Sequence, residues 1–222
     1  MRRLCLVMIV LAGCVTRKSE PKTGEATTAA AADDVSLEAM TAGLPETGQL
    51  MAEIITDLGS IKCQLFAQDA PETVASFVGL ARGLRKWKDG GEWVKKPYFD
   101  GLLFHRVIPG FMIQGGDPLS RNPQAEGVGT GGPGYTLPDE VSANRKFDKA
   151  GMLAMANKGP RTHSGGSQFF VTDAPVPRLD GGYVIFGECS GTEVVSAIAN
   201  VSRDRSDRPE KPIAMQVKIY KQ

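Results

Sequence analysis

Apolar residues recur along the chain with two different periods, and the switches between them mark the elements. Met51 to Thr56 is an extended apolar run, Asp57-Leu58-Gly59-Ser60 turns the chain, and Ile61, Cys63 and Leu65 then alternate with Lys62 and Gln64. A period of two is the pattern of a half-buried strand, so these runs predict a hairpin. A helix follows, with Asp69 as its N-cap, Pro71 in its first turn and Glu72 three residues after the cap. Val74, Phe77, Val78 and Ala81 fall at i, i+3, i+4 and i+7 and give it one apolar face, and Gly83 ends it. Residues 84–97 are mostly polar, carry Trp87 and Trp93, and read as a surface excursion. Short apolar strands are predicted over 98–114, 151–156, 168–172 and 183–187. Thr192 can cap a second helix that buries Val194, Val195, Ile198 and Val201. Ile213, Met215, Val217 and Ile219 alternate with polar or small residues as a closing strand. Many short strands, two helices and long Gly-rich loops predict a mainly β fold, a sandwich or closed barrel with helices over its ends.

The chain before this domain is of another kind. Met1-Arg2-Arg3 is basic, and Leu4 to Ala12 is an apolar run too short to span a bilayer. It ends in Leu11-Ala12-Gly13-Cys14, which resembles the lipobox of bacterial lipoproteins. That resemblance implies a signal peptide over 1–13, cut before Cys14, and a lipid on Cys14. Residues 14–48 are rich in Thr, Ala, Ser, Lys, Glu and Pro and are expected to be a flexible linker, with at most a brief helical turn over 36–40. The folded domain is expected over 49–222. Val15 follows Cys14 where an aspartate would favour inner-membrane retention, so in a host with two membranes the anchor is expected on the periplasmic face of the outer membrane.

Charge narrows the partners. With 26 Lys and Arg against 25 Asp and Glu, the net charge of +1 gives no support to a nucleic-acid partner, and the chain is expected to be a monomer. Once Cys5 leaves with the signal and Cys14 takes the lipid, Cys63 and Cys189 remain. An exported chain can form disulfides, yet these two are far apart in sequence. A disulfide and a pair of separate buried thiols both stand open.

The chemistry centres on the stretch Phe104-His105-Arg106-Val107-Ile108-Pro109-Gly110-Phe111-Met112-Ile113-Gln114-Gly115-Gly116-Asp117. Pro109-Gly110 bends a strand pair. A lone charge is too costly to bury, so Arg106 belongs at the edge of an apolar patch with its fork outward. Two readings follow: a donor aimed at a polar atom beside an apolar ring, or a structural arginine paired with a carboxylate. His105 points to the opposite face of the strand and reads as a satisfied core histidine. No HExxH, CxxC or histidine cluster is present, so neither a metal nor a cofactor is expected. No GxSxG elbow is present, and Gly129-Thr130-Gly131-Gly132 lacks the lysine of a phosphate-binding loop.

The same stretch, followed by Gly-Thr-Gly-Gly, Met155-Ala156-Asn157, Gly166-Ser167-Gln168-Phe169-Phe170-Val171 and Leu179-Asp180-Gly181-Gly182-Tyr183-Val184-Ile185-Phe186-Gly187, closely resembles the cyclophilin-type peptidyl-prolyl isomerases. The resemblance covers roughly residues 50–222. It implies an eight-stranded antiparallel closed β-barrel capped by two helices, and an enzyme that rotates X-Pro bonds of proline-containing polypeptides. It matches Arg106 to the catalytic arginine and Phe111, Met112, Phe170 and Leu179 to the proline pocket. Gln114 is the glutamine beside the arginine, Ala156 and Asn157 hold the peptide backbone, Gln168 lies at the rim, and Gly129 lies on the neighbouring loop. Tyr183 stands where many members have a histidine, and Arg178 where many eukaryotic members have a tryptophan that helps bind cyclosporin. The loop from Asn157 to Gln168 is longer than in compact members. With a lipid anchor, these features imply an isomerase assisting exported proteins to fold. The alternative is a proline-peptide-binding chaperone or assembly module with little catalysis.

Overall fold

The structure, a computed structural model, describes residues 34–222. The expected signal peptide, Cys14 and the linker as far as residue 33 lie outside the described residues. In chain order the elements are α1 (Leu37–Thr41), β1 (Leu50–Thr56), β2 (Gly59–Leu65), α2 (Pro71–Ala81), β3 (Trp87–Asp89), β4 (Glu92–Val94), β5 (Arg106–Ile108), β6 (Met112–Gly115), β7 (Met152–Met155), β8 (Phe169–Thr172), β9 (Ile185–Ser190), α3 (Thr192–Ala199) and β10 (Gln216–Lys221). Eight strands form one antiparallel sheet in the order β10-β1-β2-β9-β7-β8-β6-β5, and β3 and β4 form a separate hairpin. Among the described residues no helix is long and apolar enough to cross a membrane.

The closed barrel expected from the sequence is corrected to a curled, open sheet, because β5 and β10 are edges that do not pair with each other. The segments leading into them meet instead, through the single bridge Leu103↔Ala214. There the Phe104 N–H donates to the Ile213 carbonyl at 3.0 Å and the Met215 N–H to the Leu102 carbonyl at 2.8 Å. A ladder cannot continue from there. The Val107 N–H of β5 is taken by the carbonyl of Asp207, in the loop before β10. Pro209 and Pro212 in that loop have no N–H to offer.

The sheet separates two apolar clusters. On its inner side Phe77 of α2 meets Phe99, Phe169 and Phe186 with ring centroids 4.9–5.6 Å apart. Val107, Ile113, Val171 and Leu153 lie on this side and are fully buried. On its other side a smaller cluster joins Phe147, Phe170, Met112 and Ala154, with Phe111, Ala156, Leu179 and Tyr183 packed against it.

Local signals and final partners differ at the helices. The N-cap of α2 is Ala70, without a side-chain cap. Asp69, the expected cap, pairs with Arg145 instead. The N-terminal donors of α2 are met by Glu140, which accepts the N–H groups of Glu72 (3.0 Å) and Thr73 (2.8 Å). An acidic side chain there also suits the helix dipole. Thr192 is the first residue of α3 rather than its cap; that place belongs to Gly191 at φ 81°. A third helix, α1, lies within the segment expected to be linker. Ser36 caps it, Met40 is buried, and Arg82 donates to the carbonyls of Met40 and Ala42. Met40 packs where a Cβ on Gly79 would stand, so a larger residue there would force the Met40 side chain to shift. The excursion at 84–97 is half anchored: Trp87 is buried and donates its indole N–H to the Lys96 carbonyl, while Trp93 stays exposed.

The open question of the cysteines is resolved by register. Cys63 and Cys189 stand opposite each other across β2 and β9 and are joined by a disulfide. The cross-link spans 126 residues of sequence, and constraining a loop of that length in the unfolded chain stabilises the fold by about 2–4 kcal/mol. Replacing both cysteines by alanine is therefore expected to lower the thermal midpoint by roughly 5–15 °C, at ~2–4 °C per kcal/mol, in a calorimetric scan. A midpoint unchanged by the double substitution would show that the bond carries no stability.

Candidate active site

The site begins with a turn. Pro109-Gly110 reverses the chain between β5 and β6, with Gly110 at φ 67° and the Phe111 N–H closing onto the Ile108 carbonyl. Asp173, just after β8, braces it: its carboxylate accepts the Gly110 N–H at 2.7 Å, and its own N–H reaches the Phe111 carbonyl. Pairing then sets a row of side chains across four strands. Arg106 stands opposite Gln114, Gln114 opposite Phe170, and Phe170 opposite Ala154.

Arg106, Phe111, Met112, Gln114, Ala156, Asn157, Phe170, Leu179 and Tyr183 line one cavity of about 110 Å³. Gly129 and Gln168, the remaining residues expected at the site, line an adjoining cavity of about 190 Å³ that shares Gln114, Ala156 and Asn157 with the first. The expected residues therefore divide between two connected hollows. The floor of the smaller one is aromatic: Phe170 meets Tyr183 edge-on at 5.5 Å and stacks on Phe147 at 5.8 Å. Sequence reasoning missed Phe147, a lone aromatic in a polar stretch with no periodicity to expose it. The Arg178 guanidinium lies over the Phe111 ring at 4.5 Å, so a cation edges the cavity at that side.

A chain of hydrogen bonds stiffens the polar wall. Gln114 donates through Nε2 to Gln168 Oε1 at 3.0 Å, and Gln168 donates to the carbonyls of Gly129 and Gly131. The Gly loop is organised by Asp117, whose fully buried carboxylate accepts the N–H groups of Gly129, Gly131 and Leu119. A Cβ on Gly131 would run into that carboxylate, which is why the loop needs glycine there. Asp117 was visible in the sequence only as the last residue of the central stretch, and three backbone donors gathered by the fold account for its burial. On the far side Asn157 donates to the Gly182 carbonyl, and the Ala156 N–H is held by the Gln168 carbonyl.

Both readings of Arg106 contain part of the arrangement. Its side chain is 44% exposed and lines the cavity, and its Nε lies 3.8 Å from Asp207 Oδ2. An arginine so exposed keeps donors available to a ligand. His105 departs from expectation. It is buried, at 7% exposure, yet among the described residues neither ring nitrogen has a hydrogen-bond partner of normal geometry, so it is not satisfied. Burial, more than any neighbouring charge, lowers its pKa below the ordinary 6.5. A neutral imidazole on the core face cannot serve as a base for the cavity. His163 sits in the long loop, where its Nδ1 accepts the Asp139 N–H.

Residues 51–219 match the family model described as cyclophilin type peptidyl-prolyl cis-trans isomerase/CLD. The chain is 46% identical over 172 residues to peptidyl-prolyl cis-trans isomerase A of Mycobacterium tuberculosis, covering 74% of this chain and 88% of that one. It is 46% identical over 174 residues to peptidyl-prolyl cis-trans isomerase B of Streptomyces anulatus, covering 76% and 94%. The fold is similar to a Cryptosporidium parvum cyclophilin type peptidyl-prolyl cis-trans isomerase, with TM-score 0.66, 34% identity, and coverage of 79% of this chain and 99% of that one. A crystal structure of that protein in the presence of the dipeptide Ala-Pro matches with TM-score 0.64, 33% identity, and coverage of 78% and 99%.

The buried histidine makes stability pH-dependent with a fixed sign. The unfolded chain binds a proton at His105 near pH 6.5 and the folded chain only at lower pH, so the unfolded state holds more protons between the two values. Stability from this group is complete above pH 6.5 and lost as pH falls below it. Melting temperatures taken from about pH 7.5 down to about pH 5, across the imidazole range, should fall less in His105→Phe than in wild type. Parallel profiles would place the acid sensitivity elsewhere.

Proposed function

The chain belongs to the cyclophilin-type peptidyl-prolyl cis-trans isomerases, and from that premise we propose that it rotates X-Pro bonds of exported polypeptides from a membrane-anchored position, with Arg106 as its catalytic group. The observation that carries the site reading is the cavity in which a half-exposed guanidinium stands beside an apolar cup of Phe111, Met112, Phe170 and Leu179.

The reaction breaks no bond. Resonance in the C–N bond raises the rotation barrier to about 18–20 kcal/mol, and uncatalysed exchange at proline takes roughly tens to hundreds of seconds. At the top of the barrier the amide is twisted, its nitrogen regains a lone pair, and it accepts a hydrogen bond that the planar isomers cannot. Arg106 donates to that nitrogen, so it binds the twisted form more strongly than either ground state, and this difference is the catalysis. Rotation also needs two grips. The aromatic cup holds the proline ring. Gln114, Ala156 and Asn157 hold the backbone on the other side of the bond, and the neighbouring cavity past Gln168 and Gly129 receives the residues before the proline. A neutral His105 on the opposite face has no part in it, and no nucleophile or cofactor is called for.

The adjoining cavity is larger than the cup and does not include Arg106, which favours a second reading in which longer proline segments are held with little turnover. One comparison separates the two. Exchange of an Ala-Pro peptide should be accelerated by wild type and slowed about a hundredfold or more by Arg106→Ala, the usual cost of removing one transition-state donor. Arg106→Lys, without the planar fork, should fall between them. Peptide binding should survive in both variants. Wild type that binds the peptide without accelerating exchange would leave only the holding role.

The anchored position rests on Cys14 and the lipobox-like residues before it. From there a monomeric isomerase on the periplasmic side of the outer membrane would meet newly exported chains as they fold. Metabolic labelling with a fatty-acid analogue is expected to mark wild type and not Cys14→Ser; equal labelling of the two would refute the anchor.

A further inference from the structure

Between α3 and β10 the chain forms a tightly braced loop against the edge of β5. Arg203 and Pro209 make an isolated bridge, and the Asp204 N–H donates to the Arg208 carbonyl at 2.9 Å. The Asp204 carboxylate accepts the N–H groups of Ser206 (2.8 Å) and Arg208 (3.0 Å). The Arg208 guanidinium donates to the Pro123 carbonyl and ties the loop to the segment that follows β6. Within the loop Asp207 adopts φ 61°, the left-handed region that a residue with a Cβ seldom enters. Its carbonyl accepts the Val107 N–H at 2.8 Å, one residue beyond Arg106. Its carboxylate lies between two guanidinium groups, with Oδ2 3.8 Å from Arg106 Nε and Oδ1 3.4 Å from Arg203 Nε.

The hydrogen bonds that brace the loop do not use the Asp207 carboxylate, whose ion-pair partners are Arg203 within the loop and Arg106 outside it. Glycine would serve the left-handed backbone with less strain, and a part-exposed pair with Arg203 contributes little by itself. Arg106 supplies a further reason for the side chain. It is long, half exposed and rich in rotamers, while a donor aimed at a twisted amide must hold its place to a fraction of an ångström. Among the described residues Asp207 is the carboxylate within ion-pair reach of Arg106. Asp207 does not line the cup, so it acts through the arginine and not on the peptide.

We propose that Asp207 is a positioning residue for catalysis: its carboxylate holds the Arg106 guanidinium from the Nε side and keeps the terminal amino groups turned toward the proline cup. Arg203 shares the carboxylate and fixes it in turn, so that Arg203, Asp207 and Arg106 form a relay of charges along the edge of β5. The loop is shaped to present this carboxylate. The inference rests on Arg106 as the catalytic group. If Arg106→Ala kept full activity, that assignment would fail, a result distinct from any obtained at Asp207.

Two variants of the full chain test it. Asp207→Asn keeps the size and the tolerance for left-handed backbone but removes the charge, and Asp207→Gly releases the backbone as well. By exchange NMR with saturating Ala-Pro peptide, both should turn over roughly three- to tenfold more slowly, as expected for a displaced catalytic group. Peptide affinity should stay within about twofold, because the cup and the polar wall are untouched. The Arg106 Nε–H should show a lower order parameter in both. Wild-type turnover should fall toward that of Asp207→Asn as ionic strength rises from about 0.1 M to about 1 M, where the screening length shortens from ~10 Å to ~3 Å; the variants should respond little. Wild-type turnover in Asp207→Asn would overturn the proposal. So would a loss of turnover that tracks a loss of thermal stability in both variants with the Arg106 Nε–H order unchanged, since that pattern belongs to a brace of the fold alone.

Discussion

Strand register across β5, β6, β8 and β7 is the constraint on which the site depends. Two neighbouring rows of side chains cross these strands. One holds Val107, Ile113, Val171 and Leu153, fully buried on the core side. The other holds Arg106, Gln114, Phe170 and Ala154, facing the cavity side. Because side chains alternate between faces, a slip of one residue would send the arginine into the core and the aliphatic row toward water. Burying four such aliphatic side chains is worth about 1.5–3 kcal/mol apiece, so the slipped register is far out of reach. The core does not merely support the site; it sets which residues form it.

Charge is distributed to suit this layout. Asp117 is wholly buried and tolerable because three backbone N–H groups converge on its carboxylate. Through them it shapes the Gly129–Gly131 loop, on which Gln168 and then Gln114 rest. Arg106 has the opposite environment, half exposed and faced by one carboxylate at 3.8 Å. A fully paired, buried guanidinium would have spent its donors, and a free one would wander. The intermediate state leaves donors exposed at the cavity while one carboxylate stands beside the guanidinium.

Much of this was legible in the chain. The hairpin of β1 and β2, the apolar face of α2 and the turn at Pro109-Gly110 follow from local periodicity and turn chemistry, which act over a few residues. The motif residues from Arg106 to Gln114, with Ala156, Asn157, Gln168, Phe170, Leu179 and Tyr183, could be named in advance and are brought to two adjoining hollows. What was not legible depends on partners distant in sequence. Asp69 obeys every local rule for a helix cap, but Arg145 takes its carboxylate and Glu140 supplies the cap. Cys63 and Cys189 meet only because β2 and β9 are neighbours. Phe147 and Asp207 have no local pattern that marks them.

The sequence by itself determined the mainly β character, the two larger helices, the residue types of the site and the exclusion of a histidine on the Arg106 face, since each of these rests on interactions between near neighbours. Only the tertiary structure decided that the sheet stays open between β5 and β10, that α1 docks on α2, that His105 is buried without hydrogen-bond partners among the described residues and that the Asp207 carboxylate faces Arg106. The physical reason is common to all four. Each depends on how segments far apart in the chain compete for the same backbone donor, the same apolar surface or the same charge, and that competition is settled only when they are packed together.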